Sequence, residues 1–269
     1  MSQYKFKLKT HEAYHFKVLA ELLSNNLKTA CFEISENSIK LSMMDHHRKT
    51  LINLLLDSEN FSIYKLNQST IYMGLNLNHF HKMLKSIKKK DKLELNIDKN
   101  NDTELAIKSI PKENTRVTTS YIKIQKIQHL DIDIPTGYGK PIIVLSSEFQ
   151  KMCKDIANIG NKIKVESYRN KIRFNCDAGG ILKRNVEFGE DDEDDEDHNK
   201  ILCTQSFQIE QFTRIIKISG LSTFMQIYVS DNLPILFKTS IGGMGKISIY
   251  IKSNELLELE KCQMKLELE

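Results

Sequence analysis

The chain has 269 residues, 40% of them hydrophobic, and a mean hydropathy of −0.39. That is room for one large or two medium domains, but apolar runs no longer than four residues, as in Ile142 to Leu145, exclude a membrane-crossing helix. The net charge of +4 conceals an unbroken acidic block, Glu190 to Asp197; removing those eight charges raises it from +4 to +12, a basic body with one acidic loop. Such a surplus fits a polyanionic partner or plain solubility, and the placement of the lysines must separate the two.

From the N-terminus, Tyr4, Phe6 and Leu8 alternate with polar residues, which predicts a strand and not a secretion signal, so the mature chain is expected to begin here. Next comes the first of four related segments, each opening on phenylalanine: Phe16 to Leu23, Phe80 to Ile87, Phe149 to Ile156 and Phe212 to Ser219. Counting Phe as zero, apolar residues recur at 0, +3, +4 and +7, broken only by Ser219; this is one face of a helix. Each segment leads into two strand-like runs joined by a polar turn: 28–34 and 39–43, 92–97 and 104–109, 162–168 and 171–176, 223–229 and 235–240. Further strand-like stretches are 50–56, 71–76, 116–124, 142–145, 180–188 and 246–251.

Short turns between consecutive strands favour antiparallel pairing. Two copies of the pattern precede residue 125 and two follow 145. Between them Gln125 to Pro141 holds two of the four prolines plus Gly137 and Gly139, and reads as an extended linker. The expected architecture is therefore two similar domains, each with two helices on one face of antiparallel sheet. The boundaries are 1–124, a connecting loop at 125–141, 142–253, and a tail at 254–269 that is either a short helix or disordered.

At positions +2 and +5, away from the apolar stripe, three of the four helices carry cations: Lys82 and Lys85, Lys151 and Lys154, Arg214 and Lys217. The first helix has Val18 and Glu21 there, with Lys17 at +1. Two readings stay open, a solvated face of long side chains or a surface for phosphates. Nothing beside these cations supplies base-edge recognition, so the second reading implies holding a duplex without reading it.

Catalytic and metal motifs are missing. Gly242 to Gly245 lacks the Lys-Ser/Thr of a phosphate-binding loop and reads as a hairpin turn. Asp45-His46-His47 has no second ligand cluster, His79 and His81 point to different sides of a helix, and the acidic block lacks the turn glycines of a cation loop. No serine lies in a GxSxG elbow, and no cysteine has a histidine partner in a known motif. The five cysteines (Cys31, Cys153, Cys176, Cys203, Cys262) form no CxxC pair, which points to a reducing compartment. No enzyme, cofactor or metal is expected.

Along nearly its whole length, to about Ser253, the chain resembles proliferating cell nuclear antigen, the eukaryotic and viral type of DNA sliding clamp. The resemblance rests on Ala30 to Ile34 running into Leu41 to Asp45, Met73 to Leu77, Leu130 to Pro135, Ser147 to Phe149 through Cys153 to Asp155 to Gly160, and Leu233-Pro234 through Met244-Gly245 to Tyr250. It implies an α+β DNA-clamp fold and a trimeric ring whose helices line the hole. It also implies a processivity factor, not an enzyme, that encircles duplex DNA and tethers DNA polymerase and other replication and repair proteins. Its partners would be double-stranded DNA in any sequence, two further copies of itself, polymerase, a clamp loader and proteins bearing the hydrophobic PIP-box motif, with no membrane partner. The place would be the nucleus, or a viral replication site. A subunit of a heteromeric clamp, or a scaffold that binds partners without loading onto DNA, is the alternative.

The resemblance assigns DNA contact to Lys17, Lys82, Lys85, Lys151, Lys154 and Lys217, with Arg214 beside them. It assigns partner binding to Met44, Leu51, Ile132, Ile134, Pro135, Pro234 and Tyr250, with Arg48 at the rim. Ordinary core packing stands as the other reading of Leu51 and Tyr250. The chain departs from the family at Val18 and Ser24 and at Glu210, where cations are usual. It also departs at Arg48 and Lys49, usually histidine and an aliphatic residue, and at Arg169, where the family has its ubiquitin-accepting lysine.

Overall fold

A computed structural model describes residues 3–113, 116–190 and 200–266. Of the acidic block, residues 191–197 lie outside the described residues. The chain divides into two compact units: Met1–Asp45 with Ile52–Ile132 and Ser240–Ile247, and His46–Leu51 with Asp133–Thr239 and Ser248–Glu269.

The first unit begins with β1 (Tyr4–Thr10), α1 (Ala13–Asn26), β2 (Thr29–Ser35) and β3 (Ser38–Met44). It takes in most of β4 (Thr50–Asp57), then β5 (Ile63–Leu66), β6 (Thr70–Asn76), α2 (Leu77–Leu84), β7 (Lys92–Asp98), β8 (Glu104–Ile110) and β9 (Thr118–Lys123). One sheet has the order β5-β1-β7-β8-β9, and in another β2 lies between β3 and β6. The alternation seen at the N-terminus sets the register of β1 on β7: Phe6 faces Ile97 and Leu8 faces Leu95, all four buried. Asn76 starts α2 by accepting the His79 N–H at 3.0 Å.

The second unit contains β10 (Ile142–Leu145), α3 (Ser146–Ala157), β11 (Lys162–Ser167), β12 (Lys171–Ala178), β13 (Leu182–Gly189), β14 (Cys203–Gln208) and α4 (Ile209–Ile215), which tightens into a 3-10 turn at Ile216–Gly220. Then follow β15 (Phe224–Tyr228), β16 (Ile235–Ser240), the second half of β17 (Gly245–Ile251) and α5 (Asn254–Leu266). One of its sheets runs β13-β12-β11-β14, and in another β15 lies between β10 and β16. The phenylalanines that open α3 and α4 meet in this core: Phe149 and Phe212 have ring centroids 6.3 Å apart, and Phe237 lies 5.2 and 5.5 Å from them. Each buried ring contributes on the order of 1.5–3 kcal/mol relative to exposure.

The repeating order of helix, strand, turn, strand holds four times, after α1, α2, α3 and α4. Two features differ from expectation, and one open alternative is resolved. β5 and β14 are strands that no strand-like run announces: β5 has four residues, and β14 buries Gln205 between Cys203 and Phe207, so its alternation is hidden by a polar core residue. The tail is a helix, α5, begun by Ser253, whose Oγ accepts the Leu256 N–H at 3.2 Å. In α4 the 3-10 turn moves the buried stripe to three-residue steps, Phe212, Ile215, Ile218 and Leu221, leaving Ile216 half-buried.

The linker is held at both ends. In the first unit Gln125 N–H donates to Gly74 O at 2.8 Å and the His129 ring packs, tilted, against Tyr72 with centroids 4.8 Å apart. In the second, Tyr138 Oη donates to Pro234 O at 2.7 Å.

Candidate functional site

In the first unit α1 and α2 pack together. Phe16, Leu19, Ala20 and Leu23 are all buried, as their spacing requires. Val18 is buried too, at 6% exposure, as is Leu22. The sunken face of α1 is thus wide enough to take in position +2, which accounts for the missing cation there. In α2 only Leu77, Phe80 and Leu84 are buried, Ile87 being buried in the turn beyond. Met83, expected on the apolar stripe, is 36% exposed: an eight-residue helix buries a narrow stripe, and +3 falls on its flank.

Lys82 and Lys85 are exposed on the opposite face, and Lys82 in the last turn is favoured by the helix dipole. Lys17 is half-buried and bound: its Nζ donates to Ile87 O at 3.0 Å and stands 5.9 Å from the Tyr14 ring centroid. Part of its work is therefore to join α1 to the turn after α2, a use that a count of cations does not reveal.

In the second unit Phe149, Met152, Cys153 and Ile156 of α3 are buried at 2% exposure or less, and Lys151 and Lys154 are exposed. Burial drives the Cys153 thiol far above its ordinary range, so it is a core residue and not a nucleophile. No acidic side chain among the described residues pairs with Lys82, Lys85, Lys151 or Lys154. Arg214 differs: its Nη2 is 2.5 Å from Glu210 Oε1 one turn earlier, so the acid that departs from the family pattern offsets part of the charge on α4. Lys217 sits half-buried in the 3-10 turn.

The expected partner residues are split between the units. Met44, at the end of β3, and Ile132 belong to the first and are half-buried. Arg48, Leu51, Ile134, Pro135, Pro234 and Tyr250 belong to the second. Ile134, Pro135 and Pro234 are half-buried, while Leu51 and Tyr250 are buried at 4% and 6%, as core packing requires. Arg48 is exposed with φ of 55°, a left-handed conformation uncommon outside glycine.

Tyr138 brings Pro234 and Tyr250 together. Its ring lies 6.1 Å from that of Tyr250 and 5.9 Å from that of Tyr228, while its hydroxyl holds Pro234 O. Burial, then the neighbouring Tyr250, push its hydroxyl far above the ordinary tyrosine range, so it remains a donor at any physiological pH. The same loop is held from β14. Buried Gln205 donates to Ser230 O at 3.1 Å and Leu233 O at 2.7 Å, and burial followed by the Asp231 carboxylate pushes the Cys203 thiol up to about 12. Neither Tyr138 nor Gln205 is singled out by spacing. A tyrosine between two linker glycines is the one visible sign.

Gly242 and Gly243 form a turn whose Gly243 N–H donates to both carboxylate oxygens of Glu12, at 3.0 and 3.2 Å. His46 and His47 are exposed and face each other at 5.2 Å, and among the described residues no group of three His, Cys, Asp or Glu could hold a metal. No described helix is long and apolar enough to cross a membrane.

Residues 5–134 match the family description "Proliferating cell nuclear antigen, N-terminal domain", and residues 134–254 match its C-terminal domain. A relative called "Probable DNA polymerase sliding clamp 1", from Paramecium bursaria Chlorella virus 1, is 25% identical over 258 residues, covering 91% of this chain and 95% of its own length. The crystal structure of proliferating cellular nuclear antigen from Entamoeba histolytica shares the fold, with a TM-score of 0.79 at 24% identity over 93% of this chain and 99% of that one. With both domain descriptions matched in order across residues 5–254, the chain belongs to the proliferating cell nuclear antigen family, the non-enzymatic DNA sliding clamps that confer processivity on DNA polymerase.

Proposed function

We propose that three copies of this chain close into a ring around duplex DNA and hold polymerase, clamp loader and PIP-box proteins there. Tethering raises a partner's effective concentration at the template without any new chemistry. Residues 1–124 and 142–253 are the two clamp domains of this reading, 125–141 the loop between them and 254–269 an appended tail. The place of action is the nucleus, or the replication site of a virus.

One observation carries the reading. In each unit a helix that buries its phenylalanine exposes two lysines one turn apart, Lys82 and Lys85 in the first, Lys151 and Lys154 in the second, none of them paired with an acidic side chain among the described residues. Lysine is a compact point charge, suited to phosphate oxygens and indifferent to base sequence. With these four go Lys17, Arg214 on α4, whose charge Glu210 partly offsets, and Lys217 in the 3-10 turn that follows. Partner motifs are assigned to Ile134, Pro135, Pro234 and Tyr250, with Met44, Leu51, Ile132 and Arg48 completing the set.

The test is the quadruple variant Lys82→Glu, Lys85→Glu, Lys151→Glu, Lys154→Glu, assayed for stimulation of polymerase on a primed circular template. Stimulation should fall by at least about tenfold, with particle mass and PIP-peptide binding unchanged. Full stimulation would leave a partner-binding scaffold in place of a clamp on DNA.

A further inference from the structure

Beyond the seven cations assigned above, three consecutive lysines, Lys88, Lys89 and Lys90, occupy the turn between α2 and β7, and all are exposed. The turn is fixed from several sides. Asp91, 7% exposed, accepts the Lys88 N–H at 2.8 Å through its Oδ2 and donates its own N–H to Lys88 O at 3.2 Å. Ile87, 1% exposed, anchors the turn in the core, and its carbonyl is held by Lys17. Lys89 Nζ stands 5.8 Å from the centroid of the Tyr14 ring that Lys17 also approaches at 5.9 Å.

The fold has no use for this much charge in one place. Favourable coupling to the helix dipole fades beyond the last turn, where Lys82 already stands. Three adjacent ammoniums repel one another, and no acidic side chain among the described residues pairs with them. The one acid in the turn, Asp91, faces inward to the backbone. What the arrangement does provide is a cationic turn directly after the helix end that exposes Lys82 and Lys85, tied to Lys17 through the shared Tyr14 ring. Duplex DNA presents about one negative charge per 1.7 Å of axis, so such a patch meets several phosphates at once.

We propose that Lys88, Lys89 and Lys90 form a second phosphate-binding row, which together with Lys17, Lys82 and Lys85 holds duplex DNA independently of its sequence. The proposal rests on the clamp reading and extends it to residues outside the helices.

The test is binding of a short, labelled linear duplex by fluorescence anisotropy across a salt series, with no partner protein present. Lys88→Gln/Lys89→Gln/Lys90→Gln should bind several-fold more weakly at low salt. The slope of log affinity against log salt should shrink by roughly 2 to 3, at about 0.9 per lost phosphate contact. Its melting temperature should stay level or rise, and the triple arginine variant should keep the parent slope. Parent-like affinity and slope in the glutamine variant, while Lys82→Gln/Lys85→Gln loses both, would overturn the proposal and leave the clamp reading standing. Unchanged DNA binding with reduced polymerase stimulation would assign the row to a protein partner and overturn it too. Unchanged binding in both variants would overturn the DNA-holding reading together with the proposal.

Discussion

Gly74 leaves no room for a side chain. A Cβ there would lie 2.2 Å from Gln125 O and 2.9 Å from Ile127 Cγ1, because the linker crosses β6 at this point and Gln125 N–H bonds to Gly74 O. The obstacle is backbone, which cannot swing aside as a side chain can. Gly74→Ala should therefore push the start of the linker off the strand, with a loss of roughly 1–3 kcal/mol in thermal or denaturant unfolding. Limited trypsin digestion should show faster cleavage at Lys126, which rides on that segment. Cleavage and stability equal to the parent would mean that the linker is not held by this contact. At the far end Tyr138 does the same work by a hydroxyl, worth about 0.5–1.5 kcal/mol as a hydrogen bond. The sequence marks the linker by its prolines and glycines but is silent on these anchors, since each pairs residues tens of positions apart through one atom.

The same contrast runs through the elements. Phe16, Phe80, Phe149 and Phe212 announce their helices because burial at 0, +3, +4 and +7 follows from helix geometry alone. The width of a buried stripe depends on what packs beside it, so Val18 sinks and Met83 emerges without any local cue. Ile218 replaces Ile216 in the core because the backbone tightens by a fraction of a turn, which no residue there dictates. The tail is the least legible element: α5 begins at the last residue matched by the family, and its anchorage is polar. Glu255 accepts from Ser206 N–H at 3.0 Å and from Ser206 Oγ at 2.5 Å, while Lys252 reaches Glu260 at 2.5 Å. Burial works against the Glu255 charge, yet the Ser206 hydrogen bonds prevail and hold its carboxyl below the ordinary glutamate value. A carboxyl depressed in the folded state lends stability that is complete above its unfolded pKa and is lost as pH falls through the folded one. The Ser206 amide resonance should therefore hold steady at neutral pH and move only below the ordinary glutamate range, as α5 loosens from β14. In Glu255→Gln it should start at the loosened position and stay flat; a Ser206 resonance with the parent's titration in that variant would remove Glu255 from the account.

At the scale of the molecule, β9 in the first unit and β13 in the second are among the strands that end their sheets. Both carry apolar side chains into solvent, Tyr121 at 64% and Leu182 at 54% exposure. Unpaired edges of this kind invite pairing with another chain, and natural monomers blunt them. An assembly that joins unlike edges is head-to-tail, and a head-to-tail contact generates a closed ring when its rotation closes. Joining like edges would instead stop at a dimer. The two modes can be separated by mass. The parent should scatter light at about three times 31.2 kDa. Tyr121→Asp spoils one edge and Leu182→Asp the other, and neither residue belongs to its unit's core, so melting of the subunit should barely move. In the head-to-tail ring each variant alone loses every contact and runs as a monomer, because every contact needs one edge of each kind. Mixed in equal amounts, the sound β9 of the Leu182→Asp chain can meet the sound β13 of the Tyr121→Asp chain, once. That pair has no further sound edges, so the mixture should give a one-to-one heterodimer and no trimer. Were like edges joined, one variant would dimerise on its own through its intact edge, and mixing would add nothing.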